Sequence, residues 1–206
     1  MRLDKYLKVS RLIKRRTVAN EACDAEKVTV NGRVARASYD VKVGDVIYIP
    51  AKMVHAIGAG CLLLEVQEPT DFTIQPERWC GDRRLSDNEM YLGLTKEQAL
   101  ECFDINKKFP VPLEPKVLFE SDNISYKSFI DDRMTETFRV RQIKLSGGSF
   151  LLDKGCAIYV VTEGSGKILG DGYEKDVTKG DYFLVPEIIK NKFTITGEMT
   201  VVECLK

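Results

Sequence analysis

The sequence predicts a small α+β head followed by a larger, mainly-β portion, with a short helical insert within it. Three observations support this fold class. Residues 1–25 have helical composition and precede a hairpin pattern centred on Asn31-Gly32. Residues 116–206 alternate short β-branched and aromatic runs with glycine-marked turns, which is typical of antiparallel sheets. The pattern of Gly-Asp, four strand-forming residues and Pro occurs at both 44–50 and 180–186, which suggests two related β units.

The composition indicates a globular protein of the cytoplasm. Hydrophobic residues make up 44% of the 206 positions and charged residues 30%. The longest apolar runs are too short to cross a bilayer, and the basic amino terminus lacks the apolar core of a secretory signal. The six cysteines lie far apart without a CxxC pair, which favours reduced thiols. We therefore expect a cytoplasmic protein without a membrane segment.

The amino-terminal segment is basic, although the formal net charge of the chain is zero. Residues 1–50 contain eleven Lys or Arg against six Asp or Glu, and the remainder is acidic by the same margin. Basic residues recur every three positions from Arg2 to Lys14, so on a helix they occupy one slowly drifting face. Two interpretations remain open on spacing alone. The face either neutralises nucleic-acid phosphates or is simply solvated.

Four motifs lie in the first 48 residues: Arg2-Leu3-Asp4-Lys5-Tyr6-Leu7, the Arg11, Arg15 and Arg16 cluster, Val30-Asn31-Gly32-Arg33, and Val43-Gly44-Asp45-Val46-Ile47. Together they resemble the S-four-type RNA-binding domain, and most of all the small bacterial factors of ribosome quality control and heat-shock ribosome recycling. This resemblance implies structured ribosomal or transfer RNA as the partner, with no cofactor. It also implies the following RNA-binding residues: Arg2, Lys5, Arg11, Lys14, Arg15, Arg16 and Arg33.

From Gly44 onward the sequence GDVIYIPAKMVHAIGAGCLLLEVQEPTDFTIQPERW resembles type I mannose-6-phosphate isomerases, which are zinc enzymes of the cupin superfamily. The similarity continues loosely to Lys206 and implies the carboxy-terminal portion of a double jelly roll. We expect an incomplete first barrel and a nearly complete second barrel. The implied domains are the head at 1–48, a first-barrel remnant at 49–81, a helical insert and Pro-rich connector at 82–115, and the second barrel at 116–206.

His55 is the only histidine of the chain, and it matches a metal ligand of the isomerase family. A catalytic zinc site needs three protein ligands and an open position. The family takes its other ligands from strands that precede this segment, where this chain has the head instead. The nearby carboxylates and amide, Glu65, Gln67, Glu68 and Asp71, would make a poor substitute. We therefore expect His55 to be a remnant ligand and assign no catalytic residue.

Gln75 and Arg78 lie near the place where some isomerases have a phosphate-facing arginine, so they are the candidate substrate-binding residues. The expected function is RNA binding by the head. The head is joined to a catalytically incomplete tail, which comprises residues 49–206. The alternative is a zinc-dependent isomerase that interconverts mannose 6-phosphate and fructose 6-phosphate, with the missing ligands supplied by another chain. A sugar phosphate is then a possible second ligand of the tail.

Local patterns predict the elements of the tail. Ser86 is expected to cap a helix through 89–91, and Thr95 and Gln98 form a capping box for a helix at 98–103. Strands of the first barrel are expected at 46–49 and 61–66, with exposed edges through which chains could associate. The second barrel is expected to be a packing module rather than a metal centre. The alternative is a sugar or small-ligand pocket, for which the sequence shows no polar constellation. The predicted strands of the second barrel are 117–120, 126–130, 138–145, 150–152, 157–163, 166–169, 182–185, 193–196 and 200–205.

Overall fold

The structure is a computed structural model that describes residues 19, 21, 29, 30, 33, 34, 44–53, 62–70, 72–104 and 114–206. The chain divides into two compact units. One comprises residues 1–64 and 69–112, and the other comprises residues 65–68 and 113–206. The division into four parts at 1–48, 49–81, 82–115 and 116–206 stays a prediction.

The hairpin of the head is present. Strands β1 (Thr29–Val30) and β2 (Arg33–Val34) are antiparallel, and Val30 pairs with Arg33 across a two-residue connection. This confirms the hairpin predicted at Asn31-Gly32, whose turn type lies outside the described residues. Ala19 and Glu21 are helical, Ala19 is fully buried and Glu21 is exposed. Both positions fall within the helix predicted for residues 15–25.

The strands predicted for the first barrel are wrong where the structure describes them. Residues 46–49 and 62–66 have irregular backbone, and Leu62 is 94% exposed. Their β-branched and apolar composition favours a strand, but a strand forms only when a neighbouring strand completes its hydrogen-bond ladder. Residue composition therefore overestimated the regular structure of this segment.

The helical insert follows a short hairpin. Strands β3 (Trp79–Cys80) and β4 (Arg83–Arg84) precede α1 (Asp87–Tyr91) and α2 (Lys96–Glu101). Ser86 caps α1 and Thr95 caps α2, and both caps are complete capping boxes. The predicted caps are thus confirmed, although α2 begins earlier than predicted because Gln98 occupies its third position. The small core of the insert comprises Leu85, Met90, Tyr91 and Ala99.

The second unit is mainly β. Its seven described strands are β5 (Lys116–Glu120), β6 (Ile124–Ile130), β7 (Arg139–Leu151), β8 (Ala157–Gly170), β9 (Tyr173–Thr178), β10 (Tyr182–Val185) and β11 (Phe193–Leu205). All pairings are antiparallel. The order is β10–β8–β11–β7–β6–β5, and β9 also pairs with β8. Closure of this sheet into a jelly-roll barrel stays a prediction.

In three places, two strands predicted from the sequence are one long strand in the structure. The predicted breaks between them are therefore wrong. Residues 138–145 and 150–152 belong to β7, 157–163 and 166–169 to β8, and 193–196 and 200–205 to β11. The glycines between them are not turns. A Cβ on Gly164 would overlap the carbonyl oxygen of Glu198, and a Cβ on Gly166 would overlap that of Thr196. These glycines instead allow two long strands to approach closely.

The core of this sheet lies on β6, β7, β8 and β11, with contributions from β9 and β10. Ile143, Leu152, Tyr159, Ile195 and Val201 have no exposed surface. Strand β9 was missed because its sequence, Tyr-Glu-Lys-Asp-Val-Thr, buries Val177 but exposes its other five residues. Within the described ranges there is no helix long and apolar enough to cross a membrane.

Candidate functional site

The predicted RNA-binding residues belong to the head. Arg33 begins β2, directly after the two-residue connection of the hairpin. The other six RNA-binding candidates lie outside the described residues: Arg2, Lys5, Arg11, Lys14, Arg15 and Arg16.

The predicted metal ligand His55 also lies outside the described residues. Among the residues that are described, no group of three or more His, Cys, Asp or Glu side chains could hold a metal ion. Glu68, one of the nearby carboxylates, accepts hydrogen bonds from the hydroxyls of Thr135 and Thr137, both at 3.3 Å. The sequence offers one imidazole, so an incomplete three-ligand zinc centre stays a prediction.

The candidate substrate residues Gln75 and Arg78 lie just before β3 and make hydrogen bonds to the first helix of the insert. The backbone N–H of Gln75 donates to the carbonyl of Met90 at 2.8 Å, and the Gln75 residue is exposed. Arg78 Nη1 donates to Asp87 Oδ1 at 2.5 Å and to the carbonyl of Leu85 at 3.3 Å. The hydrogen bond to Asp87 raises the pKa of Arg78. Arg78 thus ties the segment before β3 to the start of α1, and its role in substrate binding stays a prediction.

A polar cluster lies inside the large sheet, where the sequence predicted only packing. Glu203 on β11 has no exposed surface, and its cross-strand neighbours are Arg141 on β7 and Tyr159 on β8. Tyr159 Oη donates to Glu203 Oε1 at 2.8 Å, and Tyr126 Oη donates to Glu203 Oε2 at 2.6 Å. The expectation that this barrel lacks a polar constellation is therefore wrong.

Arg141 completes the cluster and balances its charge. Its Nη1 donates to Tyr126 Oη at 2.8 Å and lies 3.4 Å from Glu203 Oε2. Its guanidinium carbon also lies 5.8 Å from the centroid of the Tyr126 ring, within the range of a cation–π contact. A buried carboxylate is costly unless it is paired and hydrogen-bonded, and all three neighbours meet that need.

The electrostatics of the cluster keep both tyrosines neutral. Burial raises the pKa of Tyr126 and Tyr159, and the nearby carboxylate of Glu203 raises both further. Burial, with the charge of Glu203 next, also raises the pKa of the Cys204 thiol to about 11. The cluster therefore places two neutral tyrosine hydroxyls and the Arg141 guanidinium around the Glu203 carboxyl group.

One sequence feature could have revealed the cluster. Val201 and Glu203 are two positions apart on β11 and therefore face the same side of the sheet. Val201 is fully buried, so a glutamate in the same row must be buried too. An acidic residue at a core position of an otherwise apolar strand predicts a buried partner of opposite charge.

Comparison with known proteins finds two separate similarities. The family model described as the S4 domain matches residues 1–47. The RQC P-site tRNA stabilizing factor of Streptococcus pneumoniae (strain ATCC BAA-255 / R6) is 51% identical over 73 residues, which is 35% of this chain and 76% of that factor.

The second similarity extends over most of the remaining chain. The mannose-6-phosphate isomerase ManA of Bacillus subtilis (strain 168) is 32% identical over 153 residues, which is 71% of this chain but 44% of that enzyme. A crystal structure of the mannose 6-phosphate isomerase from Bacillus subtilis matches 60% of this chain and 38% of that chain, with 23% identity and a TM-score of 0.47. The chain thus spans less than half the length of this isomerase relative.

The tail of the chain is similar to mannose-6-phosphate isomerases, and the head contains an S4 domain. Through that head, the chain belongs to the family of RQC P-site tRNA stabilizing factors.

Proposed function

We propose that this chain is a cytoplasmic, ribosome-associated RNA-binding protein, whose head contacts ribosomal or transfer RNA and whose tail is a catalytically incomplete, isomerase-like cupin. The observation that supports the RNA-binding proposal most strongly is the S4-domain match over residues 1–47. The name of the relative, RQC P-site tRNA stabilizing factor, supports transfer RNA as the partner. The excess of five basic charges in residues 1–50 provides the matching electrostatics.

The proposed mechanism is phosphate recognition by the cationic face. Arg2, Lys5, Arg11, Lys14, Arg15, Arg16 and Arg33 would neutralise phosphates and release their condensed counterions. Structured RNA is recognised largely through its shape and backbone, so a cluster of arginines without base-stacking aromatics suits this partner. Guanidinium groups also form bidentate hydrogen bonds with phosphates, which fix the register of the complex.

Charge reversal in the head tests the proposal. We expect Arg15→Glu/Arg16→Glu to weaken binding of the full chain to a labelled tRNA by at least about tenfold, because two phosphate contacts become repulsive. Fluorescence anisotropy would measure the dissociation constant. Lys175→Glu/Lys179→Glu is the matched control, since it changes the net charge equally at two exposed lysines of the tail. Equal weakening by both double variants would contradict a specific role for the head.

A second candidate function, zinc-dependent interconversion of mannose 6-phosphate and fructose 6-phosphate, is favoured by the similarity to ManA. The single histidine of the chain argues against it. We expect the purified chain to bind less than one equivalent of zinc after dialysis and to lack isomerase activity with added zinc. Stoichiometric zinc that is lost in His55→Ala, together with turnover of mannose 6-phosphate, would establish the isomerase instead.

A further inference from the structure

An open pocket of about 330 Å³ lies beside the polar cluster of the large sheet. It is formed by the first residues of β7, the β7–β8 connection, the residue after the short 3₁₀ helix at Glu187–Ile189, and the end of β11. Its lining residues are Arg139, Arg141, Asp153, Lys154, Gly155, Cys156, Lys190, Leu205 and Lys206. Neither the S4 domain nor the candidate metal and substrate residues His55, Gln75 and Arg78 belong to it.

The lining has more basic than acidic side chains. Five of its side chains are cationic, and Asp153 is its one carboxylate. Carboxylates just outside the lining hold three of these cations: Asp132 pairs with Arg139, Glu187 with Lys190, and Glu203 with Arg141. Lys154 pairs with Asp153 at 2.6 Å. The lysine pairs are solvent-accessible, and such pairs contribute only about 0–1 kcal/mol each, so both lysines can turn to a ligand at little cost.

Arg141 gives the pocket a fixed donor. Its Nη1 is held by Tyr126 and Glu203, and its side chain is 20% exposed. Within the described part of the chain, its Nε and Nη2 groups donate no hydrogen bond. A guanidinium that is anchored through one nitrogen has lost most of its rotamer freedom, so its remaining donors are preorganised for an anion.

Gly155 allows two walls of the pocket to pack closely against each other. A Cβ at this position would lie 2.7 Å from the Cα of Glu187 and would also overlap the Glu187 carboxylate. Only glycine therefore allows the β7–β8 connection to pack directly against the segment that carries Lys190. This close approach brings Lys154 and Lys190 to the same pocket.

From this geometry we infer that the pocket binds a small phosphate-bearing molecule. A phosphate matches the site because it offers several acceptor oxygens to one fixed guanidinium and to flexible ammonium groups. A neutral sugar offers hydroxyl acceptors but no negative charge for the cationic groups, and a long polyanion would not fit a volume of about 330 Å³. This inference is independent of RNA binding by the head.

Protection of Cys156 provides a site-specific test. This thiol lines the pocket and its residue is exposed, so its alkylation rate should report occupancy. The experiment would follow alkylation of the full chain by peptide mass mapping, in inorganic phosphate and in sodium chloride of equal ionic strength. Cys80, which is exposed on β3 outside the pocket, is the internal control.

We expect phosphate to slow Cys156 alkylation at least about threefold in a saturable manner, without an effect on Cys80. In Lys154→Gln/Lys190→Gln, the half-protecting phosphate concentration should rise at least about tenfold, whereas Lys175→Gln/Lys179→Gln should leave it unchanged. Both variants alter only solvent-accessible lysines and should therefore fold. Absence of protection, or equal protection in Lys154→Gln/Lys190→Gln, would overturn the inference.

Discussion

Glu203 shows how one buried charge can organise three strands. Its carboxylate accepts from Tyr126 on β6 and Tyr159 on β8, and Arg141 on β7 supplies the opposite charge. Among the described residues, every buried side-chain nitrogen or oxygen atom has a hydrogen-bond partner. A satisfied cluster of this kind favours one register of the strands, because a shift by one residue would leave the carboxylate unpaired.

We predict that Glu203→Gln lowers the free energy of unfolding by about 2–3 kcal/mol, since Arg141 loses its counter-charge and two charge-assisted hydrogen bonds weaken. Tyr126→Phe, which removes one donor and keeps the ring, should cost about 1–2 kcal/mol. Urea denaturation monitored by circular dichroism would measure both. A loss below about 0.5 kcal/mol for Glu203→Gln would show that the cluster contributes little to folding.

The raised pKa values predict loss of stability in alkali. Cys204 titrates near 9.0 when exposed but at about 11 in the fold, and both tyrosines are shifted upward from 10.0. Above pH 9 the unfolded chain therefore releases protons that the folded chain retains, so the free energy of unfolding falls as the pH rises. Urea titrations across this range should show the decline, and Tyr159→Phe should make it shallower. A stability that is flat from pH 9 to 11 would contradict these shifts.

At the scale of elements, the long strands β8 and β11 depend on glycines that the sequence suggests are turns. Gly164 has a φ of +74°, and a Cβ there would also lie 2.9 Å from the Cα of Met199. The backbone of β11 therefore occupies the space that a side chain would need. Glycine has two uses, in turns and at close approaches, and a sequence alone does not distinguish them.

We predict that Gly164→Ala destabilises the fold by about 3 kcal/mol, because it combines left-handed backbone strain with a steric clash. Gly172→Ala is the matched control. Gly172 has a similar φ of +67° but no atom within 4 Å of the added Cβ. Its cost should be about 1 kcal/mol, from backbone strain alone. Thermal and urea denaturation would measure both, and equal costs would show that the close approach of β11 is unimportant.

The helix caps were predictable for a different reason. The side chains of Ser86 and Thr95 each accept from the backbone N–H three residues later, so the whole interaction lies within one helical turn of sequence. Strand positions were predicted less well, because a ladder depends on partners far along the chain. Residues 46–49 have the composition of a strand but are irregular, while 173–178 form β9 despite their charged sequence.

At the scale of the whole molecule, the chain resembles two different kinds of protein and covers a different share of each. It covers 76% of an RQC P-site tRNA stabilizing factor but 44% of a mannose-6-phosphate isomerase. Both similarities were predictable from short motifs. The cluster around Glu203 was not, because its four members come from four strands and no local pattern joins Tyr126, Arg141, Tyr159 and Glu203.

The opposite charges of the two parts give the RNA-binding proposal a quantitative consequence. The head has an excess of five basic charges, and the remainder has an equal acidic excess. Binding through the head should therefore be sensitive to salt, while the acidic remainder should not hold RNA by itself.

The salt dependence of tRNA binding tests this account most directly. If each of the seven proposed basic residues neutralises one phosphate, a plot of log affinity against log salt concentration for the full chain should have a slope of about −5 to −6. Arg15→Glu/Arg16→Glu should make that slope shallower by about 2, whereas Lys175→Glu/Lys179→Glu should leave it unchanged. A slope near zero for the unmodified chain, or one that the head variant leaves unchanged, would contradict RNA recognition by the basic head.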